Sequence, residues 1–130
     1  MRVAFILLLL TAPAAMGQTL MTPDEFDAWS TGKTLDYSVD GRVYGSEAYF
    51  PGRRVIDADT GGPCLDGSWH AEGEAVCFVY PARDGLHCWT FWREGDAVFA
   101  KPLAAAAEDP AQSVTPAAAP LACPGPEVGV

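Results

Sequence analysis

The chain has 130 residues, a formal net charge of −9 at pH 7 and hydrophobic residues at 49% of its positions. A surface of that sign repels phosphate groups, whose binding depends on Lys and Arg, so nucleic acids and anionic membrane surfaces are poor partners. The length allows one domain with a single modest core.

Residues 1–17 have the layout of a secretory signal peptide. Met1 and Arg2 precede an apolar run, and small residues follow that run as far as Gly17. A positive start, about 7 to 15 apolar residues and a small-residue cleavage site define such a signal. A membrane-spanning helix would need about 20 apolar residues. We therefore predict cleavage near Gly17, a periplasmic or secreted location, and no membrane insertion after cleavage.

A short helix is predicted soon after the cleavage site. Thr22 can cap it, Pro23 suits the first helical position, and Glu25 lies three residues after Thr22, as in a capping box. Met21 and Phe26 occupy the two positions of a hydrophobic staple. We expect Phe26 to face the core.

Residues 18–103 are predicted to form the helix followed by an antiparallel β-meander of about seven strands. Glycine-containing turn signals recur evenly from Asp40-Gly41 to Glu94-Gly95, and the runs between them are rich in β-branched and aromatic residues. This spacing is typical of consecutive strands joined by tight turns, in an open curved sheet or a small barrel. The predicted strands are Thr34–Val39, Val43–Phe50, Arg53–Ala58, Ser68–Ala71, Ala75–Tyr80, Leu86–Arg93 and Ala97–Leu103.

Residues 104–130 are rich in alanine and proline and lack the large apolar side chains that a core requires. We predict an extended, loosely ordered tail in this segment. Cys123 interrupts it, and a cysteine there is best explained by a disulfide that tethers the tail to the domain.

The four cysteines of the chain predict two disulfides, because their number is even and the chain is exported. Four cysteines allow three pairings. In a hairpin that turns at Asp84-Gly85, Cys77 lies opposite Cys88, close enough to be bonded. This register favours a disulfide between Cys77 and Cys88 and leaves Cys64 for Cys123, whereas a slip of one residue would separate the first pair.

The sequence lacks a convincing catalytic or metal-binding motif. Ser68, His70 and Asp66 contain the residue types of a hydrolase triad, but no nucleophile elbow surrounds the serine. The cysteine spacings differ from those of zinc sites. Asp57 and Asp59 are not followed by the remaining ligands of a calcium loop. We predict no enzyme activity, no cofactor and no metal.

Two charged features stand out in the predicted strands. Glu47 lies in an otherwise apolar strand, and the Arg53-Arg54 pair follows it closely. A cross-strand salt bridge is the ordinary explanation of both features.

The aromatic residues provide the remaining functional signal. Trp89 and Trp92 are three residues apart on one strand, so they face opposite sides of it. The one that leaves the core can line a groove for a small ligand, with Trp69 and Tyr49 as further ligand-binding candidates. A second layer over that face, such as the N-terminal helix, explains the same pattern.

The segment Gly41–Arg53, followed by Cys64–Trp69 and by the Cys77-Phe78 and Cys88-Trp89 pairs, resembles the DUF995-type family of small exported alphaproteobacterial proteins of unknown function. The Gly-x-x-x-Gly-x-Glu-x-Tyr portion is similar to the hairpin unit of MORN repeats, which are β-meanders used for contacts. The resemblance implies a periplasmic β fold and carries no catalytic residue.

Three functions are considered on this basis. The first is a periplasmic, non-enzymatic module that binds a protein or an envelope component. The second is a small-ligand carrier of lipocalin-like shape, with Trp89 or Trp92 facing a cavity. A hydrolase is a distant third.

Overall fold

The computed structural model of the protein describes residues 17–123. The predicted signal peptide lies outside these residues apart from Gly17, as do residues 124–130 of the predicted tail. The described chain contains one helix and nine strands. In chain order they are β1 (Thr19–Leu20), α1 (Pro23–Ser30), β2 (Thr34–Val39), β3 (Arg42–Phe50), β4 (Arg54–Asp59), β5 (Leu65–Glu72), β6 (Ala75–Tyr80), β7 (Arg83–Glu94), β8 (Ala97–Pro102) and β9 (Gln112–Pro116).

The helix begins as its sequence predicts. The backbone N–H of Glu25 donates to Thr22 Oγ1 at 3.1 Å, and Pro23 occupies the first turn. Met21 and Phe26, the predicted staple residues, are both buried in the core. Within residues 17–123, no helix has the length and apolar character needed to cross a membrane.

All seven predicted strands are present, with ends that differ from the prediction by no more than three residues. The hairpin between β2 and β3 shows how the turn signals act. Asp40 and Gly41 both have positive φ, 49° and 76°, which matches the twist of a two-residue hairpin. The mainly antiparallel β fold with one short helix is therefore confirmed.

The strands close into a barrel. Their order is β7-β6-β5-β4-β3-β2-β9-β8, and β8 pairs with β7 again, so eight antiparallel strands form a ring. β1 is an outer strand that pairs with β7 through Leu20 and Trp92. Of the two predicted alternatives, an open curved sheet and a small barrel, the structure shows the barrel.

One further strand, β9, lies in the segment predicted as an extended, loosely ordered tail. β9 pairs with β2 on one side and with β8 on the other, and so completes the ring. Its single large apolar side chain, Val114, is 2% exposed and lies opposite Tyr37 and Val98. One apolar residue gives almost no sequence signal, but two strand edges without other partners supply the backbone hydrogen bonds.

α1 closes one end of the barrel with an aromatic plug. The side chain of Phe26 is fully buried. Its ring centroid lies 4.1 Å from that of Phe91, 5.5 Å from that of Tyr49 and 5.6 Å from that of Trp69. Phe26 therefore fills the space that the strands enclose at this end.

Arg53 fastens the helix to the barrel at the same end. Its guanidinium group lies 4.3 Å from the centroid of the Trp69 ring. It also pairs with Asp24 at 3.1 Å and with Asp27 at 3.3 Å, both on α1. This arrangement satisfies the charge of Arg53 at the closed end.

Two disulfides are present, with the connectivity that the hairpin register predicted. Cys77 and Cys88 are directly opposed on β6 and β7 and are bonded to each other. Cys64 is bonded to Cys123, across a sequence separation of 59 residues. The second disulfide holds the end of the described chain beside the start of β5.

Candidate ligand-binding site

The end of the barrel opposite α1 contains a cavity of about 170 Å³. Eight-stranded barrels have interiors just wide enough for side chains or one small ligand. An apolar protein cavity of about 150 Å³ is known to hold a benzene molecule, so this cavity is of a size to accept a small organic compound. Six aromatic residues line it: Tyr37, Tyr44, Phe78, Tyr80, Trp89 and Phe91. Its polar lining consists of Glu47, Asp57, Asp59, Arg83, His87 and Gln112.

Alternation along the strands brings these side chains to the inner face. Glu47 and Tyr49 are two residues apart on β3, and Phe78 and Tyr80 are two residues apart on β6, so both members of each pair point inward. A glycine makes room for one of them. A Cβ atom on Gly67 would lie 2.5 Å from Cδ1 of Tyr80, so the ring packs where a larger residue of β5 would stand.

Glu47 is the central polar group of the site and is 3% exposed. The Tyr49 hydroxyl donates to its Oε1, and the Tyr80 hydroxyl donates to its Oε2 at 2.5 Å. The Tyr37 hydroxyl is hydrogen-bonded to that of Tyr49. Because the Tyr49 hydrogen is used on Glu47, Tyr37 donates to Tyr49 in this pair, and two hydroxyl hydrogens, those of Tyr49 and Tyr80, point to the carboxyl group.

The predicted salt bridge of Glu47 is wrong. Among residues 17–123 Glu47 forms no ion pair, and Arg53 pairs with Asp24 and Asp27 of the helix rather than across strands. The tyrosine hydroxyls take the place of a cation. The site therefore contains a buried carboxyl group that has hydrogen-bond donors but no counterion.

Burial controls the protonation of Glu47. Loss of hydration raises the pKa of its carboxyl group to about 8, although the hydrogen bonds from Tyr49 and Tyr80 lower it. The charge of Asp57 raises this pKa further, and that of Arg83 lowers it. At neutral pH the group is mostly protonated, and it ionises just above.

The tyrosines around Glu47 are harder to ionise than free tyrosine. Burial is the largest cause that raises the pKa of Tyr37, Tyr49 and Tyr80, and the charge of Glu47 raises all three further. They remain neutral hydrogen-bond donors over the physiological range.

A cluster of three charged side chains lies at the opening of the cavity. Arg83 pairs with Asp57 at 3.2 Å and with Asp59 at 3.5 Å, and its guanidinium group lies 5.3 Å from the centroid of the Tyr80 ring. Burial raises the pKa of Asp57, while the nearby Arg83 opposes that rise. The His87 ring lies 6.0 Å from that of Tyr80. Two carboxylates thus share one cation at the opening.

The structure brings two of the four predicted ligand-binding residues together. Trp89 lines the cavity, half-buried, with its ring 6.1 Å from that of Tyr37. Tyr49 lies behind the cavity wall as a hydrogen-bond partner of Glu47. Both belong to the same group of side chains because each contacts Tyr37.

The other two predicted residues lie elsewhere. Trp69 is 4% exposed and packs beneath Arg53 at the closed end. Trp92 faces away from the cavity, with its ring stacked 6.1 Å from that of Phe99. Its Nε1 is buried and has no hydrogen-bond partner among the described residues. At this point β1 pairs with β7 in the same sheet, with Leu20 opposite Trp92, rather than as a layer over its face.

Of the residues considered for catalysis and metal binding, Asp57 and Asp59 lie together at the cavity opening, where both pair with Arg83. His70 is exposed, and its Nε2 lies 3.7 Å from Oε1 of Glu72. Its ion-pair partner is therefore Glu72 and not Asp66. A Glu72 carboxylate oxygen lies near the sulfurs of Cys77 and Cys88. These sulfurs are bonded to each other, and a disulfide does not supply the thiolates that a metal needs.

Comparison of the chain with protein-family models, with curated proteins and with solved structures found no match. The resemblance to the DUF995-type family and to MORN repeats therefore stays a prediction.

Proposed function

We propose that this protein is an exported, non-enzymatic binding protein that carries a small ligand in the open end of its barrel. The observation that supports this most strongly is the cavity of about 170 Å³, in which aromatic walls surround the buried carboxyl group of Glu47. Concave, mostly apolar sites with a few convergent polar groups are typical of small-ligand binding. This is the lipocalin-like carrier of the sequence analysis, with Trp89 rather than Trp92 at the ligand.

The difference between the two ends of the barrel favours entry of the ligand from one end. Phe26 and the rings around it fill the end beneath α1. The cavity lies at the other end, where Tyr44 is 52% exposed. A ligand would enter past the opening that Arg83 and its two aspartates surround.

Export is part of the proposal and rests on independent features. The first 17 residues have the layout of a signal peptide, and both disulfides are of the kind that persists in an oxidising compartment. A periplasmic or secreted carrier fits both features. The alternative partner, a protein or an envelope component, stays a prediction from the sequence.

The proposal is tested by native mass spectrometry of protein purified from its own host, followed by a binding screen with small aromatic and aliphatic compounds of different charge. A persistent adduct, or binding of any compound at millimolar concentration, supports a carrier.

Two matched variants locate the binding. Trp89→Phe removes part of the cavity wall, and Trp92→Phe makes the same change on the opposite face of the same strand. We expect only the first to weaken binding by several-fold. A bare mass together with no binding in the screen, or equal effects of the two variants, would contradict the proposal.

A further inference from the structure

The buried carboxyl group of Glu47 has acceptor capacity left over. A carboxylate offers about four lone-pair sites, and two of them accept the Tyr49 and Tyr80 hydroxyls. Glu47 also lines the cavity, so a ligand can reach the remaining sites. The hydroxyl hydrogens of Tyr49 and Tyr80 are already used on Glu47, so for a ligand donor the carboxylate is the one charged acceptor in this group of side chains.

A buried carboxylate is normally paired, because its charge is costly to remove from water. Glu47 forms no ion pair among the described residues. Arg83, the one arginine or lysine of the described residues that lines the cavity, is held by Asp57 and Asp59. The position beside Glu47 is therefore suited to a cation that residues 17–123 do not provide.

The walls of the cavity favour the same kind of ligand. Aromatic faces attract ammonium and guanidinium groups, and more strongly where water is excluded. The protein already uses one of these faces in this way, because Arg83 lies over the ring of Tyr80. Rings on Tyr37 and Trp89 provide further faces within the cavity.

The charge around the opening disfavours an anion. Asp57 and Asp59 outnumber Arg83 there, and the whole chain carries a formal charge of −9. A negative field of this kind concentrates cations near a cleft and repels anions.

We infer that the cavity binds a small organic cation, a primary ammonium compound of about six to eight non-hydrogen atoms, with its ammonium group on Glu47 and its apolar part against the aromatic walls. This inference rests on the proposed function and names the chemical class of the ligand.

Binding of the cation is coupled to loss of a proton. The carboxylic acid form of Glu47 must release its proton to solvent before it can pair with the ammonium group. The groups that face Glu47 are Tyr37 from β2, Tyr49 from β3, Asp57 from β4, Tyr80 from β6 and Arg83 from β7. His87 of β7 and Asp59 of β4 line the cavity farther out.

The coupling gives a pH dependence of known sign. With the pKa of Glu47 at about 8, the ionised fraction rises from about 1% at pH 6 to about half at pH 8. If only the ionised form binds, the affinity for an ammonium ligand rises roughly 50-fold over this range. His87→Gln should retain this rise, since the proton comes from Glu47.

Three probes of matched shape test the inference: benzylamine, which is protonated over this range, benzyl alcohol and benzoate. Isothermal titration calorimetry at pH 6 and pH 8 is expected to show binding of benzylamine, tighter at pH 8, with weaker or no binding of the other two. Glu47→Gln is expected to lower the affinity for benzylamine at least tenfold at pH 8 and to abolish the pH dependence of that affinity. Proton release is read from the dependence of the heat on the buffer.

The outcomes separate the two proposals. If benzyl alcohol or benzoate binds more tightly than benzylamine, the inference of a cationic ligand is overturned, and the proposed carrier function is retained. If none of the three compounds binds, the inference of a cationic ligand is overturned. The binding screen described above then decides whether the protein is a carrier. Should Glu47→Gln fail to fold, Asp59→Asn provides the second test, because loss of a negative charge at the opening should weaken benzylamine by a few-fold. No change in that variant would overturn the inference.

Discussion

The two ends of the barrel are built from similar parts but differ in what those parts enclose. At each end an arginine lies over an aromatic ring and pairs with two aspartates: Arg53 over Trp69 at the closed end, and Arg83 over Tyr80 at the open end. Behind Arg53 lies the fully buried ring of Phe26. Behind Arg83 lie a cavity and Glu47. The comparison assigns fold stabilisation to one end, and under the proposed function the other end is left open for a ligand.

The largest expected effect is at the closed end. Phe26→Ala removes the ring that packs against Phe91, Tyr49 and Trp69, and truncation of a buried phenylalanine costs about 3–5 kcal/mol of stability. Urea unfolding with the disulfides intact measures the loss. Tyr44→Ala, a truncation at the exposed open end, is the control and should cost far less. Equal losses would contradict the division between the two ends.

The next effect concerns Glu47 and pH. The pKa of a glutamate is about 4.3 in an unfolded chain, and that of Glu47 is about 8 in the folded protein. Between these values the folded state holds one more proton than the unfolded state, so its stability falls as pH rises, by about 1.4 kcal/mol per pH unit. Wild-type protein should therefore lose about 3 kcal/mol more than Glu47→Gln between pH 5 and pH 7.5.

Urea unfolding curves at several pH values provide this comparison. The difference between the two proteins isolates Glu47 from the other titrating groups that both share. Parallel stability curves for the two proteins would mean that Glu47 is not held protonated by burial.

A smaller effect is expected from the glycine that positions Tyr80. Gly67→Ala places a Cβ atom against the Tyr80 ring and the Val79 carbonyl oxygen, and overpacking of this kind costs about 1–3 kcal/mol. Ser68→Ala, the neighbouring exposed residue, is the control and should change stability little. If thermal unfolding shows the same midpoint for both variants, the close approach of Tyr80 to β5 is not a constraint.

The smallest effects come from the two arginines, and they should differ in kind. Partly exposed ion pairs contribute about 0.2–1 kcal/mol, so Arg53→Gln should reduce stability by about 1 kcal/mol and leave ligand binding unchanged. Arg83→Gln removes the cation that competes for Asp57 and the Tyr80 ring, and also the charge that lowers the pKa of Glu47. Once the affinities are corrected for the ionised fraction of Glu47, taken from the pH dependence of each protein, this variant should bind benzylamine a few-fold more tightly. Calorimetry on both variants checks this, and weaker binding by Arg83→Gln would argue against a cationic ligand.

Much of the fold follows from local sequence signals. Asp40-Gly41 and the later glycine turns fix the strand order, Thr22 and Glu25 fix the start of the helix, and the register of Cys77 against Cys88 follows from one hairpin. Closure of the barrel does not follow in this way. It depends on β9, a strand with one large apolar residue, Val114, whose position is decided by the free edges of distant strands.

The candidate site is also hard to predict from the sequence, because it is assembled from strands that are distant along the chain. Glu47 is noticeable as a charge in an apolar strand, and its spacing of two from Tyr49 indicates a shared face. Its other partners, Tyr37 and Tyr80, come from strands whose inward faces are known only once the ring closes. Trp89 and Trp92 were correctly placed on opposite faces, but periodicity alone does not say which face is inside.

The central claim, that the open end binds the ligand, is tested most directly by the indole N–H signals in ¹H–¹⁵N spectra of the wild-type protein titrated with benzylamine at pH 8. Trp89 reports on the open end and Trp69 on the closed end. The account predicts that the Trp89 signal shifts and saturates while the Trp69 signal stays in place. A shift of Trp69 without Trp89 would contradict it, and no shift of either would overturn the cationic ligand.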